Sequence, residues 1–281
     1  MNLPTYFYAD GVETSFPGNA TVSLRIEGHV ALISMIDDER HNAMTANHVK
    51  SMISAIDSSW QKKARAVVIA SGAKNFCAGA DVIQLLKGKI LEPGHKDINA
   101  DTPLKLFRKL QDESRPVITA IHGLALGGGV ELALSSDLVY SSPDAKFAMP
   151  EIGLGLLPRL ALARLSEFVG RRRAMELILT RKKFPAEYAL NIGLINGIIP
   201  TAELVSTACK LAADIVTAPP SAIAAVKKNL GRVPINNWDA INRLLEDMNP
   251  AEWREGLNAF LEKRPPEFDD FWSDFNKMKR N

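Results

Sequence analysis

Cysteine is scarce in this sequence, with only Cys77 and Cys209 among 281 residues. Two cysteines cannot build the disulfide framework of a small secreted domain, and neither has the CxxC or histidine-rich context of a zinc site. No run of about 18 apolar residues occurs, and the first part of the chain lacks the basic and apolar regions of a secretory signal. We therefore expect a protein of a reducing compartment, cytoplasmic in a bacterium and without a membrane segment.

A strong excess of one charge is absent as well. The 34 Lys and Arg residues against 32 Asp and Glu residues leave a formal net charge of +2. This balance argues against binding to nucleic acid or to an anionic membrane, because both depend on an excess of positive charge. No internal repeat or low-complexity segment is present, and the length fits one large domain or two modest ones.

The first part of the chain has the pattern of strands and a helix. Residues 21–27 and 30–36 are rich in β-forming residues on either side of a short turn, which predicts a hairpin. Apolar residues then recur with helical spacing over 49–60, with Thr45 as a candidate cap. The continuous apolar run 66–70 is typical of a buried strand. The order strand, strand, helix, strand indicates a mixed α/β protein.

The middle of the chain continues this alternation. A short helix is predicted near 81–87, followed by a polar stretch at 88–101 that we interpret as a mobile surface insertion over the neighbouring loop. Thr102 and Pro103 are suited to open a helix that runs to about residue 113. Further strands are predicted at 116–122, 138–141 and 146–149.

Helical patterns alone follow Pro158. The last four helices come after Pro200 with no strand between them, so the sequence predicts an α/β core over 1–200 and an all-helical region over 201–281. The predicted helices are 160–169, 171–180, 186–191, 202–217, 219–230, 236–248 and 251–263.

A cluster of four glycines between Gly123 and Gly129 is the one local anomaly in composition. Three of them, at 127–129, follow a buried strand and precede a helical run, so the backbone there can approach a ligand closely. The N–H groups at such a helix start favour an anion or a developing oxyanion. The cluster is neither a P-loop nor a dinucleotide fingerprint, and a tight strand-to-helix turn is an equally good interpretation.

A second loop of small residues lies at 75–81 and reads Asn-Phe-Cys-Ala-Gly-Ala-Asp. Two such loops can supply two converging backbone N–H donors, which is how an oxyanion hole for a thioester enolate is built. Cys77 lies in this loop, but no Cys-His spacing supports a nucleophile. A small buried residue is the simpler interpretation of that cysteine.

Glu131 and Glu151 are the candidate acid/base residues. Glu131 lies three residues after Gly128, and Glu151 follows the strand predicted at 146–149, so both adjoin buried segments. Two carboxylates near each other have their pKa values pushed apart, which suits general acid/base chemistry. The structural alternatives are complementing a helix dipole for Glu131 and pairing with an arginine for Glu151.

Taken together, five segments resemble the enoyl-CoA hydratase/isomerase (crotonase) superfamily over about residues 31–200, with a tail to about 263. They stand in the family's order and spacing, and the sequence is identified as a member on that basis. The segments are DERHNA at 38–43, NFCAGAD at 75–81, RPVITAIHGLALGGGVELA at 115–133, FAMPEIGLG at 147–155 and ALNIGLI at 189–195.

The resemblance implies a spiral of ββα units with a helical C-terminal region that forms a homotrimer or a dimer of trimers. It implies an acyl-CoA thioester substrate whose carbonyl is polarised by the N–H groups of Ala80 and Gly128. No separate metal or redox cofactor is indicated, because CoA is part of the substrate. The residues matched to the CoA thioester are Arg40, Asn42, Ala43, Ala78, Asp81, Val82, Gly127 and Pro150.

Hydratases of this superfamily carry glutamates at the positions of Glu131 and Glu151. Their similarity assigns Glu131 to holding and activating water, and Glu151 to proton delivery at C2 of a 2-enoyl thioester. After Leu157-Pro158, where hydratases have a glycine-rich stretch, this chain reads Arg-Leu-Ala-Leu-Ala-Arg-Leu. Bulkier residues there would narrow the acyl pocket or displace the water. Ile83 stands where a lysine is common, so no cation toward the CoA phosphates is carried over.

The sequence thus predicts an enoyl-CoA hydratase, with an enoyl-CoA isomerase and a thioester hydrolase as alternatives. The hydrolase is included because the stretch at 147–151 resembles the 3-hydroxyisobutyryl-CoA hydrolase branch. Outside the enzymes, a non-catalytic acyl-CoA binder and an RNA-binding homologue are the alternatives. The low net charge argues against RNA, and the two glutamates argue against lost catalysis.

Overall fold

Three predicted features lie wholly or partly outside the residues that the computed structural model describes: the insertion at 88–101, the helix start at Thr102, and residues 236–238 and 240–242 of the helix predicted at 236–248. Within the described part, strands and helices alternate as far as residue 198, and helices and turns follow. The described residues are Val12–Ser15, 21–87, 103–230, Asp239 and 243–278.

A seven-stranded sheet forms the centre of the fold. The described strands are β1 (Val12–Ser15), β2 (Val22–Glu27), β3 (Val30–Met35), β4 (Ala66–Ser71), β5 (Val117–Ile121), β6 (Leu124–Leu126), β7 (Leu138–Ser141), β8 (Lys146–Ala148), β9 (Phe184–Pro185) and β10 (Gly197–Ile198). The large sheet has the order β1-β2-β3-β4-β5-β7-β10, and β6-β8-β9 form a small one. The strands β1, β2 and β3 pair antiparallel, whereas the rest of the large sheet is parallel.

Helices cover both faces of the large sheet. The described α-helices are α1 (Ala46–Gln61), α2 (Val82–Lys87), α3 (Pro103–Gln111), α4 (Gly128–Leu134), α5 (Arg159–Val169), α6 (Arg171–Thr180), α7 (Ala186–Asn191), α8 (Leu204–Ile215), α9 (Pro220–Asn229), α10 (Pro250–Glu262) and α11 (Asp269–Met278). Single 3-10 turns lie at Glu151–Leu154 and Leu244–Asp247.

The unit strand, strand, helix recurs along the chain, as β2-β3-α1, β5-β6-α4 and β7-β8-α5. In the second and third units, the first strand joins the large sheet and the second strand joins the small one. The parallel pairing of β6 with β8 therefore links successive units. This is the spiral of ββα units that the resemblance implies.

Local sequence signals explain most of these elements. The hairpin of β2 and β3 is confirmed, and β4 is buried at every residue, as expected of a parallel strand covered on both faces. Thr45 caps α1 as predicted, since its hydroxyl accepts a hydrogen bond from the His48 N–H at 3.0 Å. The predicted bounds of α6 and α7 coincide with the observed ones.

The structure departs from expectation inside the glycine cluster. The chain does not pass from β5 directly into α4, because the three residues of β6 intervene and pair with β8. Gly123, with φ of +61°, turns the chain between the two strands, where a Cβ atom would lie 2.6 Å from the carbonyl oxygen of Lys74. The expectation of helices alone after Pro158 is also wrong, because the two-residue strands β9 and β10 pair with β8 and β7. A further element that was not predicted is α11, whose Trp272 is buried in the core.

The sheet separates two hydrophobic cores. On one face, β2 and β3 pack against α1, with Leu24, Ile33 and Met52 fully buried. On the other face, Val68 of β4 lies in one cluster with Ala208 of α8 and with α11. The last described strand ends at Ile198, just before the predicted boundary at residue 200. The first helix beyond that boundary, α8, nevertheless packs directly on the sheet.

No single helix in the described ranges is both long enough and apolar enough to cross a bilayer. The pair formed by α8 and α9 meets those criteria of length and composition together, but the two helices are bent by 107° where they join.

One core side chain carries an unsatisfied polar group. His48 of α1 is fully buried, and neither of its ring nitrogens has a hydrogen-bond partner among the described residues. Burial lowers the pKa of His48 from 6.5 to about 4, partly opposed by the negative charge of Asp37. The ring is therefore neutral in the folded protein, whereas it titrates near its ordinary value in the unfolded chain.

We expect acid to destabilise the protein through His48. The folded state resists protonation of His48. The contribution of the neutral ring to the free energy of unfolding is therefore fully present above pH 6.5 and is lost as pH falls to about 4. Replacing His48 by Leu should remove about 3 kcal/mol of pH dependence in the free energy of unfolding over that interval. Denaturant unfolding at several pH values measures this, with His41→Asn as the control, since His41 is exposed. Equal pH dependence in His48→Leu and the unsubstituted protein would contradict the assignment.

Candidate active site

Backbone pairing brings the two loops of small residues together. The Cys77 N–H donates to the Leu124 carbonyl oxygen at 2.9 Å, and the Leu126 N–H donates to the Cys77 carbonyl oxygen, also at 2.9 Å. Cys77 and Ala125 thereby form a parallel bridge. The loop at 75–81 therefore lies directly beside the start of α4.

Glycine permits this approach where a side chain would prevent it. A Cβ atom on Gly79, whose φ is +92°, would lie 2.8 Å from the carbonyl oxygen of Leu126. A Cβ atom on Gly129 would lie 2.6 Å from the carbonyl oxygen of Cys77. Any other residue at either position would push the two loops apart.

The N–H groups of Ala80 and Gly128 face the same space. The Gly79 carbonyl oxygen accepts a hydrogen bond from the Met44 N–H at 2.8 Å, and the Asp81 N–H donates to the Met44 carbonyl oxygen at 3.5 Å. Both of these groups lie on the edge of the segment that faces Met44. The Ala80 N–H points to the opposite edge, because successive N–H groups alternate along an extended segment. That edge faces Gly128, on which a Cβ atom would lie 3.5 Å from the Ala80 nitrogen. Gly128 begins α4, so its N–H has no acceptor within the helix.

A cavity of about 480 Å³ opens at these two N–H groups. Its described lining combines apolar side chains, including Leu104 and Phe107 of α3, with a few charged ones. The lining contains the predicted site residues Ala78, Ala80, Asp81, Val82, Gly127, Gly128, Glu131, Pro150 and Glu151, and it does not contain Arg40, Asn42 or Ala43.

Asn42 holds the loops rather than facing the cavity. Its side-chain Nδ2 lies within hydrogen-bond distance of three oxygens, those of Ser71, Asn75 and Phe76, at 2.9, 3.0 and 3.0 Å. Its Oδ1 accepts a bond from the Asp37 N–H at 2.8 Å, and the residue is fully buried with φ of +55°. Asn42 thus fixes the segment that precedes the 75–81 loop, and contact of this segment with CoA stays a prediction.

Glu131 lies in the first turn of α4 and reaches across to another helix. Its Oε1 accepts hydrogen bonds from the Leu160 N–H at 2.8 Å and the Ala161 N–H at 3.1 Å, both in the first turn of α5. Burial raises the pKa of Glu131, while these two donors and the positive charge of Arg159 oppose the rise. The carboxylate therefore caps α5, in addition to lying at the start of its own helix.

Glu151 opens the 3-10 turn after β8 and has a different environment. Its Oε1 lies against Gly127, since a Cβ atom there would be 2.7 Å away, and its Oε2 is buried without a partner among the described residues. Burial, with a smaller effect from the negative charge of Glu131, raises the pKa of Glu151 to about 7, although the Glu151 backbone N–H opposes the rise. No described arginine pairs with it, so the ion-pair alternative does not apply.

The two carboxylates therefore differ in what holds them. Glu131 is fixed by two backbone donors, which favour its ionised form. Glu151 has a buried oxygen with no donor, which favours its protonated form. Two interacting carboxyl groups with environments of this kind divide into a base and an acid.

Sequence reasoning left two parts of the site unassigned. One is Arg159, the first residue of α5, which lines the cavity and acts electrostatically on Glu131. In the sequence, Arg159 was indicated only by the absence of a glycine-rich stretch after Leu157-Pro158. The other is the pair of backbone donors at 160 and 161, for which residue identity gives no signal.

The thiol of Cys77 takes no part in this arrangement. It is fully buried, and its Sγ donates to the Asn42 carbonyl oxygen at 3.2 Å. Burial raises the pKa of Cys77 to about 12, so the thiolate that a nucleophile requires is not formed near neutral pH. The interpretation as a small buried residue is confirmed.

Comparison with known proteins identifies the family. A family model described as enoyl-CoA hydratase/isomerase matches residues 25–271. The chain belongs to this family. It is 34% identical over 251 residues to a short-chain-enoyl-CoA hydratase of Clostridium acetobutylicum, covering 86% of this chain and 95% of that protein. It is 30% identical over 257 residues to a probable enoyl-CoA hydratase of Bacillus subtilis, covering 88% and 98%.

Solved structures of the enoyl-CoA hydratase/isomerase family share the fold. An enoyl-CoA hydratase subunit I from Geobacillus kaustophilus matches with a TM-score of 0.80 at 29% identity, covering 89% of this chain and 98% of that one. The superfamily and the fold class inferred from the sequence are thus confirmed. The protein is an enzyme of the enoyl-CoA hydratase/isomerase family.

We expect Glu151→Gln to stabilise this family member at alkaline pH. The folded-state pKa of about 7 lies above the ordinary 4.5, so ionisation destabilises the fold as pH rises through 7. Glutamine keeps the neutral form, which should raise the free energy of unfolding by about 1–2 kcal/mol at pH 8.5 and leave it unchanged near pH 4.5. Denaturant unfolding at both pH values tests this, with the exposed Glu187→Gln as the control. Equal stability of Glu151→Gln and the unsubstituted enzyme at pH 8.5 would contradict it.

Proposed function

We propose that this enzyme catalyses the reversible addition of water to a trans-2-enoyl-CoA thioester. The observation that carries the proposal is the joint position of Glu131, Glu151 and the N–H groups of Ala80 and Gly128 on one cavity. Two carboxylates and an oxyanion site are the groups that this reaction requires. The cavity walls also include apolar residues, which suits an acyl chain.

The thioester oxygen is proposed to bind between the Ala80 and Gly128 N–H groups. Attack of water at C3 moves negative charge onto this oxygen as an enolate forms. Donors that are fixed by the surrounding backbone stabilise that charge without reorganising during the reaction. The bridge between Cys77 and Ala125 and the close contacts at Gly79 supply this fixed geometry.

Glu131 is proposed to hold and activate the water. With Oε1 bound to α5, its second oxygen accepts no bond from the described groups and is left for the water. The two backbone donors favour the ionised carboxylate, which is the form that takes a proton from the attacking water. The same bonds fix the orientation of the base, since a buried side chain with two partners has little freedom.

Glu151 is proposed to deliver the proton to C2 when the enolate collapses. Its pKa of about 7 keeps much of the carboxyl group protonated at neutral pH, which an acid requires. The buried oxygen without a partner among the described residues has no competing donor. In this scheme the pair holds one proton: Glu131 takes a proton from the attacking water, Glu151 gives one to C2, and the proton on Glu131 then returns the pair to its starting state. The reactants are one water and the enoyl-CoA.

Trimer formation, which the resemblance implied, is retained as a proposal. It is supported by apolar side chains that α10 exposes, with Leu257, Phe260 and Leu261 exposed by 55%, 80% and 76%. Exposed apolar residues on one helix are typical of an interface.

Glu131→Gln and Glu151→Gln should each reduce hydration of crotonyl-CoA by about 10²- to 10⁴-fold, because each removes one proton-transfer group. Loss of absorbance by the conjugated thioester measures turnover, and binding of a saturated acyl-CoA should survive in both variants. The control is Glu187→Gln, which should retain full activity. In the unsubstituted enzyme, kcat/KM should fall as pH rises above about 7, when the pair loses its proton.

The products distinguish the alternatives within the family. Formation of a 3-hydroxyacyl-CoA supports hydration. Conversion of a 3-enoyl-CoA without water uptake would support the isomerase, and release of free CoA would support the hydrolase. Full hydratase activity in both glutamine variants would contradict the assigned roles.

Gly128→Ala tests the oxyanion site separately from the glutamates. The added Cβ atom would lie 3.5 Å from the Ala80 nitrogen and 3.2 Å from the flexible end of Met44, so it enters the anion position with little backbone conflict. We expect a loss of about 10²- to 10³-fold in kcat with little change in Tm. Gly256→Ala in α10 is the control, since its Cβ atom would meet nothing nearer than 3.6 Å. Unchanged kcat in Gly128→Ala would contradict the proposed oxyanion site.

A further inference from the structure

Among the described residues that line the active-site cavity, Arg159 is the one with a positively charged side chain. The other charged residues on that lining are the acids Asp81, Glu131 and Glu151. Asp81 accepts a hydrogen bond from the Gln84 N–H at 2.8 Å, and Glu131 is bound to the start of α5. The described lining therefore holds one positive side chain and three carboxylates.

The guanidinium of Arg159 makes no ion pair or hydrogen bond with the described residues, and the side chain is exposed. Arg164, on the same helix, provides a contrast, because it pairs with Glu167 at 3.3 Å and lies over the ring of Phe168. Arg159 is thus available to a ligand, whereas Arg164 is engaged on the surface.

The position of Arg159 places it on the acyl side of the cavity. It directly precedes the two residues whose N–H groups hold Glu131, so it lies beside the carboxylate that is proposed to bind water at C3 of the acyl chain. The wall beside it is formed by Leu154, Leu156 and Leu157. The nucleotide of CoA lies at the other end of the thioester, away from the reacting carbons.

We propose that Arg159 binds a carboxylate at the far end of the acyl chain, so that the preferred substrate is a trans-2-enoyl-CoA that ends in a carboxylate. The inference rests on the proposed hydratase function and specifies its substrate class. A guanidinium binds a carboxylate through two parallel hydrogen bonds, which gives selectivity as well as affinity. An acyl chain with a methyl end leaves Arg159 without this partner.

The experiment compares pairs of 2-enoyl-CoA substrates that have equal chain length and end in either a methyl group or a carboxylate. Five- and six-carbon pairs together cover the reach of the side chain. We expect the unsubstituted enzyme to favour the carboxylate by about tenfold or more in kcat/KM for one length. Arg159→Leu should abolish this preference, because it should lower kcat/KM for the carboxylate-ended substrate by about tenfold more than for the methyl-ended one. Arg159→Lys should retain part of the preference, and Arg164→Leu should retain all of it.

Three results would overturn the proposal. The first is equal kcat/KM for both members of each pair in the unsubstituted enzyme. The second is an equal loss on both members in Arg159→Leu, which would mean that Arg159 acts only through Glu131. The third is a loss in Arg159→Leu that is seen with CoA thioesters and vanishes with pantetheine thioesters of both kinds, which would mean that Arg159 binds a CoA phosphate.

A binding measurement separates this proposal from the proposed hydratase function. If no enoyl-CoA is hydrated, the hydratase proposal fails, and calorimetry with saturated acyl-CoA pairs still tests Arg159. Tighter binding of the carboxylate-ended thioester, lost in Arg159→Leu, would support the proposal. Equal binding of the two thioesters would overturn it.

Discussion

The active site depends on a backbone approach that is closer than any side chain would allow. At Gly79, Gly123 and Gly129 a Cβ atom would lie 2.6 to 2.8 Å from a carbonyl oxygen of the facing loop. Hydrogen bonds at 2.9 Å between Cys77 and β6 then join the two loops into one rigid unit. Because two donors converge on one point only if both loops are fixed, the glycines set the geometry of the proposed oxyanion site.

The same constraint determines where the carboxylates lie. Gly127 must lack a side chain because Oε1 of Glu151 occupies the space of its Cβ atom, at 2.7 Å. The helix that starts at Gly128 then projects Glu131 toward α5 after less than one turn. Glu151 remains buried without a partner for Oε2 among the described residues, an arrangement that lowers stability once the group ionises.

Local patterns were sufficient for most of the fold, and they failed where stability comes from distant contacts. The buried strand β4 and the capped helix α1 follow from apolar runs, helical spacing and Thr45. The three residues of β6 are too few for a periodic signal, and the strand exists because β8 pairs with it. Similarly, α11 is stabilised by burial of Trp272 against the far face of the sheet, which its own sequence does not reveal.

The residues of the candidate site could be predicted from the sequence, whereas their hydrogen bonds could be predicted only in part. Glu131 and Glu151 stood out because each adjoins a buried segment, and the resemblance supplied Ala80 and Gly128 as donors. The capping of α5 by Glu131 had no such signal, since Leu160 lies 29 positions away and contributes only its backbone N–H. Whether Glu151 would find an arginine was equally open, because ion pairing depends on three-dimensional proximity.

The segment after Pro158 connects the proposed substrate selection to the proposed catalysis. A glycine-rich stretch would be a poor helix, whereas the residues present here form α5 from its first residue onward. The first turn of that helix binds Glu131, and Arg159 occupies its first position beside the acyl wall. One local change in sequence therefore both orients the proposed base and adds a cation to the pocket. The positive charge of Arg159 also favours the ionised form of Glu131, so substitution at Arg159 affects both the proposed base and the proposed binding of a carboxylate. Only substrates that differ at the far end of the acyl chain can separate these two effects.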